Sequence, residues 1–268
     1  MNFLKIRTVS ILICASNIFV SMALADWYPG YGSIALTKEQ TLGQCLSAAL
    51  QAAKTDAFSK AGLERFSSQQ IEICSDNSEV ANCELHQQTL NYYDGAYIAG
   101  TRNVDVRNTA SECIASVEAD VRAYKSQHDP DFGLSATIRG SKNKRHGDVV
   151  QVSGETSERA YVALYIWSPS SNGEQLQLIF PNQFDNENLL NGKFSIPSAE
   201  KSRSYQLYAE FPEEQNTKTV SEILFILASK SKFEMLSVES SENFFKRLDE
   251  LGRENWRLER IGYTIFSE

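Results

Sequence analysis

The sequence predicts an α+β protein: a long N-terminal helix on an antiparallel sheet, followed by a mainly β, sandwich-like domain with a terminal helix and strand. Three observations carry that expectation. An alanine-rich segment from Thr37 to Gly62 repeats small and apolar residues at helical spacing. Cys113, Ala115, Val117, Ala119, Val121 and Ala123 alternate with polar residues in a single run. After Asp148, short β-patterned segments separated by turn residues fill most of the chain. With 42% hydrophobic and 22% charged residues over 268, the composition is that of a folded chain. A net charge of -8 leaves no global positive field to collect phosphates, which argues against nucleic acid as a partner and for proteins or neutral ligands.

Lys5 and Arg7 precede an apolar run from Val9 to Val20, and Ala23-Leu24-Ala25 has the small-x-small form of a signal-peptidase site. Residues 1–25 are therefore expected to be a signal peptide cleaved after Ala25, and the protein to be periplasmic or secreted. Ile13 stands before Cys14, where lipoprotein processing needs a small residue, so a lipid anchor there is not expected. Cleavage leaves Cys45, Cys74, Cys83 and Cys113, an even set in an exported chain. Four cysteines allow three pairings. Patterning favours Cys74 with Cys83, which flank a short polar segment, and Cys45 with Cys113, which lie on apolar faces of a helix and a strand.

The first domain is expected over 26–135. Thr37 with Gln40 reads as a capping box, and Gly62 as the helix stop. Leu42, Cys45, Leu46, Ala49, Ala53 and Ala57 form the apolar face, opposite Lys38, Gln44, Gln51, Lys54 and Lys60. Strands are expected at Gln70 to Cys74, Cys83 to Leu90, Ala96 to Val106 and Glu112 to Tyr124, broken by Asp94-Gly95 and Asn108. In the last, Cys113 points to the core beneath the helix. The order of short strand, alanine-rich helix and a final Cys-x-Ala-x-Val-x-Ala-x-Val strand preceded by Gly95-Ala96-Tyr97-Ile98 resembles the small periplasmic domain of outer-membrane lipoproteins and flagellar ring accessory proteins. That resemblance implies a non-enzymatic building block of envelope assemblies.

Residues 136–147 are expected to form a linker, with Lys142, Lys144, Arg145 and His146 in a solvated, turn-rich join. The second domain, 148–268, reads as strands at Asp148 to Val152, Arg159 to Trp167, Gln175 to Phe180, Lys193 to Ile196, Tyr205 to Phe211 and Ser221 to Ala228. A helix from Glu242 to Leu251, opened by Ser240 or Ser241 and stopped by Gly252, precedes a last strand from Trp256 to Phe266. The second of these strands carries Tyr161, Ala163, Tyr165 and Trp167 on one side and Val162, Leu164 and Ile166 on the other, as a strand buried on both faces does. The Tyr-Val-x-Leu-Tyr strand, the turn at Gly173, the Leu-x-Leu-Ile-Phe-Pro-Asn run from Leu176 to Asn182, Gly192 and Ile196-Pro197 resemble the bacterial domain-of-unknown-function family 4384. The likeness covers about Asp148 to Ala228 and implies an accessory or recognition module; Pro212-Glu213-Glu214-Gln215 departs from a second Pro-Gly turn frequent in that family.

No nucleophile elbow, zinc-protease helix, phosphate loop or dinucleotide fingerprint occurs in the chain. No catalytic residue, metal or cofactor is expected, and the acidic and amide residues after Phe180 do not have the spacing of an EF-hand loop. The function expected is that of a non-enzymatic accessory protein that binds other envelope or secreted components and meets the membrane only through them. A periplasmic hydrolase is the alternative from another class. A small-ligand or glycan binder is a third, whose clue would be Tyr165, Trp167 or Trp256 exposed in a groove. The candidate recognition loop is Asn182, Asp185, Asn186 and Asn188, held by Phe180 and Pro181 as a structural anchor.

Overall fold

Residues 37–44 read Thr-Lys-Glu-Gln-Thr-Leu-Gly-Gln, so two Thr-x-x-Gln pairs compete to open the first helix. The computed structural model, which describes residues 27–38, 41–61, 95–168, 175–212 and 218–267, places the cap at the second pair. Thr41 is extended, its Oγ1 accepts the Gln44 N–H at 3.2 Å, and Gln44 Oε1 accepts the Thr41 N–H at 2.9 Å. The cap expected at Thr37 is one turn early, because the Leu36 N–H is committed to the carbonyl of Ser111 and holds this segment to the sheet. The signal peptide expected over 1–25, Cys74, Cys83 and the strands expected at 70–74 and 83–90 lie outside the described residues.

Helix α1 (Leu42–Lys60) lies on a sheet of β1 (Trp27–Ala35), β2 (Ala96–Asn108) and β3 (Glu112–Ala123), antiparallel in the order β1-β3-β2. Cys45, Ala49, Ala53 and Ala57 on the helix, and Cys113, Ala115 and Ala119 on β3, are wholly buried between the two layers. Small residues let the layers approach until backbone meets backbone. A Cβ added at Gly30 of β1 would stand 1.9 Å from the Ala53 carbonyl oxygen, and one at Gly32 would stand 2.3 Å from that of Ala49. Gly30→Ala should therefore cost about 1–3 kcal/mol as an overpacked contact that neither backbone can relieve; thermal unfolding beside the parent measures it. Cys45 and Cys113 are joined by a disulfide with Cα atoms 5.7 Å apart, as the facing helix and strand positions lead one to expect.

The remaining chain is mostly sheet, so the described protein is a mixed α+β molecule with two α-helices. Its largest sheet has the order β14-β9-β8-β13-β15-β5, where β5 is Asn143–Arg145, β8 Ala160–Trp167, β9 Gln175–Phe180, β13 Thr219–Ser229, β14 Val238–Ser240 and β15 Trp256–Phe266. The short β10 (Leu189–Leu190) pairs with β8. One face, with Val162, Leu164, Phe180, Leu224, Ile226, Ile261 and Ile265, is covered by two smaller sheets. These are β11-β7-β4 (Lys193–Ile196, Val152–Thr156, Leu134–Ile138) and β12-β6 (Leu207–Tyr208, Val149–Val150). The other face, with Ala163, Tyr165, Trp167, Phe225 and Leu227, is covered by Phe244, Phe245 and Leu248 of helix α2 (Ser241–Leu251). Ser240 caps α2 through a bond from the Asn243 N–H, and Gly252, at φ 84°, ends it.

Three expectations are corrected here. The region 136–147 is not a solvated join: residues up to Ile138 lie in β4, and β5 pairs in parallel with β15. Lys144 is 8% exposed, with its ammonium donating to the Val149 carbonyl at 3.2 Å, so a sequence rich in cations forms strand because its backbone completes a sheet edge. The strand expected from Asp148 to Val152 divides at Gln151, since Val149–Val150 pairs with β12 while Val152 onward pairs with β4 and β11. That expected from Tyr205 to Phe211 shrinks to Leu207–Tyr208.

Gln51 and Lys54, expected on the solvent side of α1, are buried. Lys54 lies 3.5 Å from Glu242 near the start of α2, and Thr101 of β2 donates to the same carboxylate oxygen at 3.3 Å. Tyr97 of β2 enters the cluster beneath α2, where its hydroxyl donates to Asp249 at 3.1 Å. Burial first, then the Asp249 carboxylate, push the Tyr97 hydroxyl up to about 12.

Candidate functional site

Phe180 ends β9 opposite Leu164 and is 2% exposed. The Phe180–Pro181 bond is cis, and the chain leaves the sheet at once because proline offers no ladder donor. Asn182 then organises the turn. Its Oδ1 accepts the N–H groups of Phe184 and Asp185, both at 2.9 Å, and its Nδ2 donates to the Ile179 carbonyl at 2.9 Å. The Asn182 N–H bonds the Asp185 carbonyl at 2.9 Å.

Asp185, expected as a surface contact, is 4% exposed and sits underneath the loop. Its Oδ2 accepts the Ser198 N–H and the Tyr205 hydroxyl, each at 3.3 Å, tying the loop to the segment after β11. Burial, with the Asp185 carboxylate adding to it, pushes the Tyr205 hydroxyl up to about 12, so the phenol stays a proton donor. Asn188 is also scaffold. Its side-chain amide donates to the Val162 carbonyl at 3.2 Å, while its own carbonyl accepts the Val162 N–H at 2.8 Å. Of the four loop residues singled out in the sequence, Asn186 is the one whose side chain is left exposed.

The surface that these bonds support is aromatic. Phe184 is 52% exposed and lies near-parallel to Tyr205, with ring centroids 5.9 Å apart. Sequence reasoning passed over Phe184; the available signal was an asparagine two residues before an aromatic, the spacing at which an Asx turn fixes the following residue. Tyr165, Trp167 and Trp256 are core residues, not groove walls: they are 0%, 7% and 0% exposed, and the Trp256 indole donates to the Leu248 carbonyl at 2.9 Å.

A second cluster was not foreseen. Glu222 of β13 accepts the Ser168 hydroxyl at 2.7 Å and the Tyr263 hydroxyl on its other oxygen, at one end of the inner core. Burial raises the Glu222 carboxyl above the usual range against the pull of those two donors, and Glu210 adds to the rise. Folding thus raises the affinity of Glu222 for its proton. Its contribution to stability falls as pH rises from the ordinary value of 4.5 through the raised folded value. Glu222→Gln should flatten that fall, read as the difference between stability–pH curves of variant and parent. The comparison isolates Glu222 from Glu239 and Glu259, whose carboxyls burial also raises.

Among the described residues no three His, Cys, Asp or Glu side chains stand together as a metal site, and no helix is long and apolar enough to cross a membrane. No protein-family model matches the chain, and no curated protein or solved structure matches it either.

Proposed function

We propose that the chain is an exported, non-enzymatic accessory protein that binds other envelope or secreted components through the surface over Asn182–Asn191. The observation that supports this reading is Phe184: an aromatic ring half in water, on a loop whose backbone is fixed from beneath by Asn182 and Asp185. An exposed aromatic that has already given up its freedom loses little on binding, which is how rigid anchors come to dominate recognition surfaces. The resemblances read in the sequence, to the family 4384 and to periplasmic envelope domains, point toward an accessory role; they rest on the quoted residues alone, since no family model matches the chain. Export after Ala25 and a sandwich-like second part belong to the same reading.

Glu222 with its two hydroxyl partners favours a hydrolase as the second reading. The two are separated by assaying the exported protein against esters, glycans and peptides while capturing its partners from envelope extract. Reproducible capture that depends on the loop, with no turnover, supports the binding module. Turnover abolished by Glu222→Gln in a folded protein overturns it in favour of the enzyme.

A further inference from the structure

Strand β1 is the outer strand of its three-stranded sheet among the described residues, and its nine residues, Trp-Tyr-Pro-Gly-Tyr-Gly-Ser-Ile-Ala, include no charge. An uncharged outer strand presents free N–H and C=O groups to any second strand, and proteins ordinarily place charge there to prevent it. Here the charge comes from the helix. Asp56 of α1 reaches over the edge and accepts the Tyr31 N–H at 2.9 Å, while Lys60, one turn on, donates to the Pro29 carbonyl at 3.1 Å. The two side chains bond each other at 2.6 Å. Pro29 removes a further donor. The opposite strand of the sheet, β2, packs along α2 and is interrupted by register shifts at Ile98/Gly100 and Arg102/Asp105, so it needs no such device.

We propose that the Asp56–Lys60 pair is a clasp that keeps β1 from pairing with β1 of a second copy of this chain. The backbone groups of Tyr31 and Pro29 that a pairing strand must bond are held by side chains of α1. A second strand at the usual ~4.8 Å spacing would have to displace both of them. A copy of the same strand is the occupant the edge fits, because it is uncharged, extended over nine residues, and able to pair antiparallel with itself about a two-fold axis. Asp56 is held below the usual carboxylate range: burial opposes this, but the Lys60 ammonium and the Tyr31 N–H outweigh it, so the clasp stays charged.

The test is sedimentation velocity of the full exported chain and its Asp56→Ala/Lys60→Ala variant over a range of concentrations, with folding checked by circular dichroism. The expected result is a concentration-dependent species of twice the parent's mass. Adding Ser33→Pro, which deletes another donor at a position of the same parity as Pro29, should return the variant to the parent's mass. A double variant that sediments like the parent, or a doubling that survives Ser33→Pro, overturns the proposal. Should the double variant not fold, Lys60→Ala alone frees the Pro29 carbonyl and should still associate more strongly than the parent; no gain there overturns it equally.

Discussion

Replacing Phe180 with alanine is expected to destabilise the protein by roughly 3–5 kcal/mol, the cost of emptying a large ring from a packed core. The ring is 2% exposed, is paired across to Leu164, and belongs to the cluster that joins the large sheet to the smaller sheets. Little around it can collapse, because the residues on each side are held by strand pairing in β8 and β9. The same position leads into the proposed recognition loop, so the variant should also loosen the bonds that Asn182 makes to Ile179, Phe184 and Asp185. Chemical denaturation of parent and variant reads the loss directly. A variant within about 1 kcal/mol of the parent would contradict the placement of Phe180 in the core.

Removing the Cys45–Cys113 bridge is the other large effect. The bond spans 68 residues, and the chain-entropy relation gives about 4 kcal/mol for a closed loop of that length. It also sits where α1 meets β3, in a contact built largely of alanines, so the covalent tie supplies stability that small side chains cannot. Cys74 and Cys83 fall inside this loop; a bridge between them shortens the free chain and lowers the expected loss. Cys45→Ala/Cys113→Ala should melt well below the parent under oxidising conditions and approach the parent when both are reduced. Equal melting temperatures without reductant would contradict a closed bridge.

Much of the strand pattern could be read from sequence because turn residues bracket it. Gln175–Phe180, Lys193–Ile196 and Trp256–Phe266 begin and end where polar or Pro-Gly punctuation predicts, and the Ser240 and Gly252 signals delimit α2. The strand β8 showed its two buried faces in its alternation. What escaped was spatial. Asn143–Arg145 is three residues of mostly cationic sequence, and it is strand only because the far end of the chain lies beside it. Tyr97 and Asp249 meet across 152 positions, and Lys54 and Glu242 across 188, so no local pattern could announce that α2 would cover β2. At the candidate site, Phe180 and Pro181 were legible from hydrophobic and turn chemistry. The roles of Asp185 and Asn188 were not, because an acid or amide in a polar loop looks the same in sequence whether it faces water or bonds a neighbouring backbone.

The most direct measurement is partner capture by Phe184→Ala beside the parent, with melting temperatures recorded for both. Phe184 is 52% exposed, so its truncation should leave the fold intact. If its ring is the anchor of a recognition surface, capture of the components that the parent retains from envelope extract should fall by about 10-fold or more, the loss typical of a dominant aromatic contact. Asn182→Ala, which removes the bonds that hold Phe184 in place, should reproduce the loss of capture. A Phe184→Ala protein that melts like the parent and retains every component at parental levels would contradict the account.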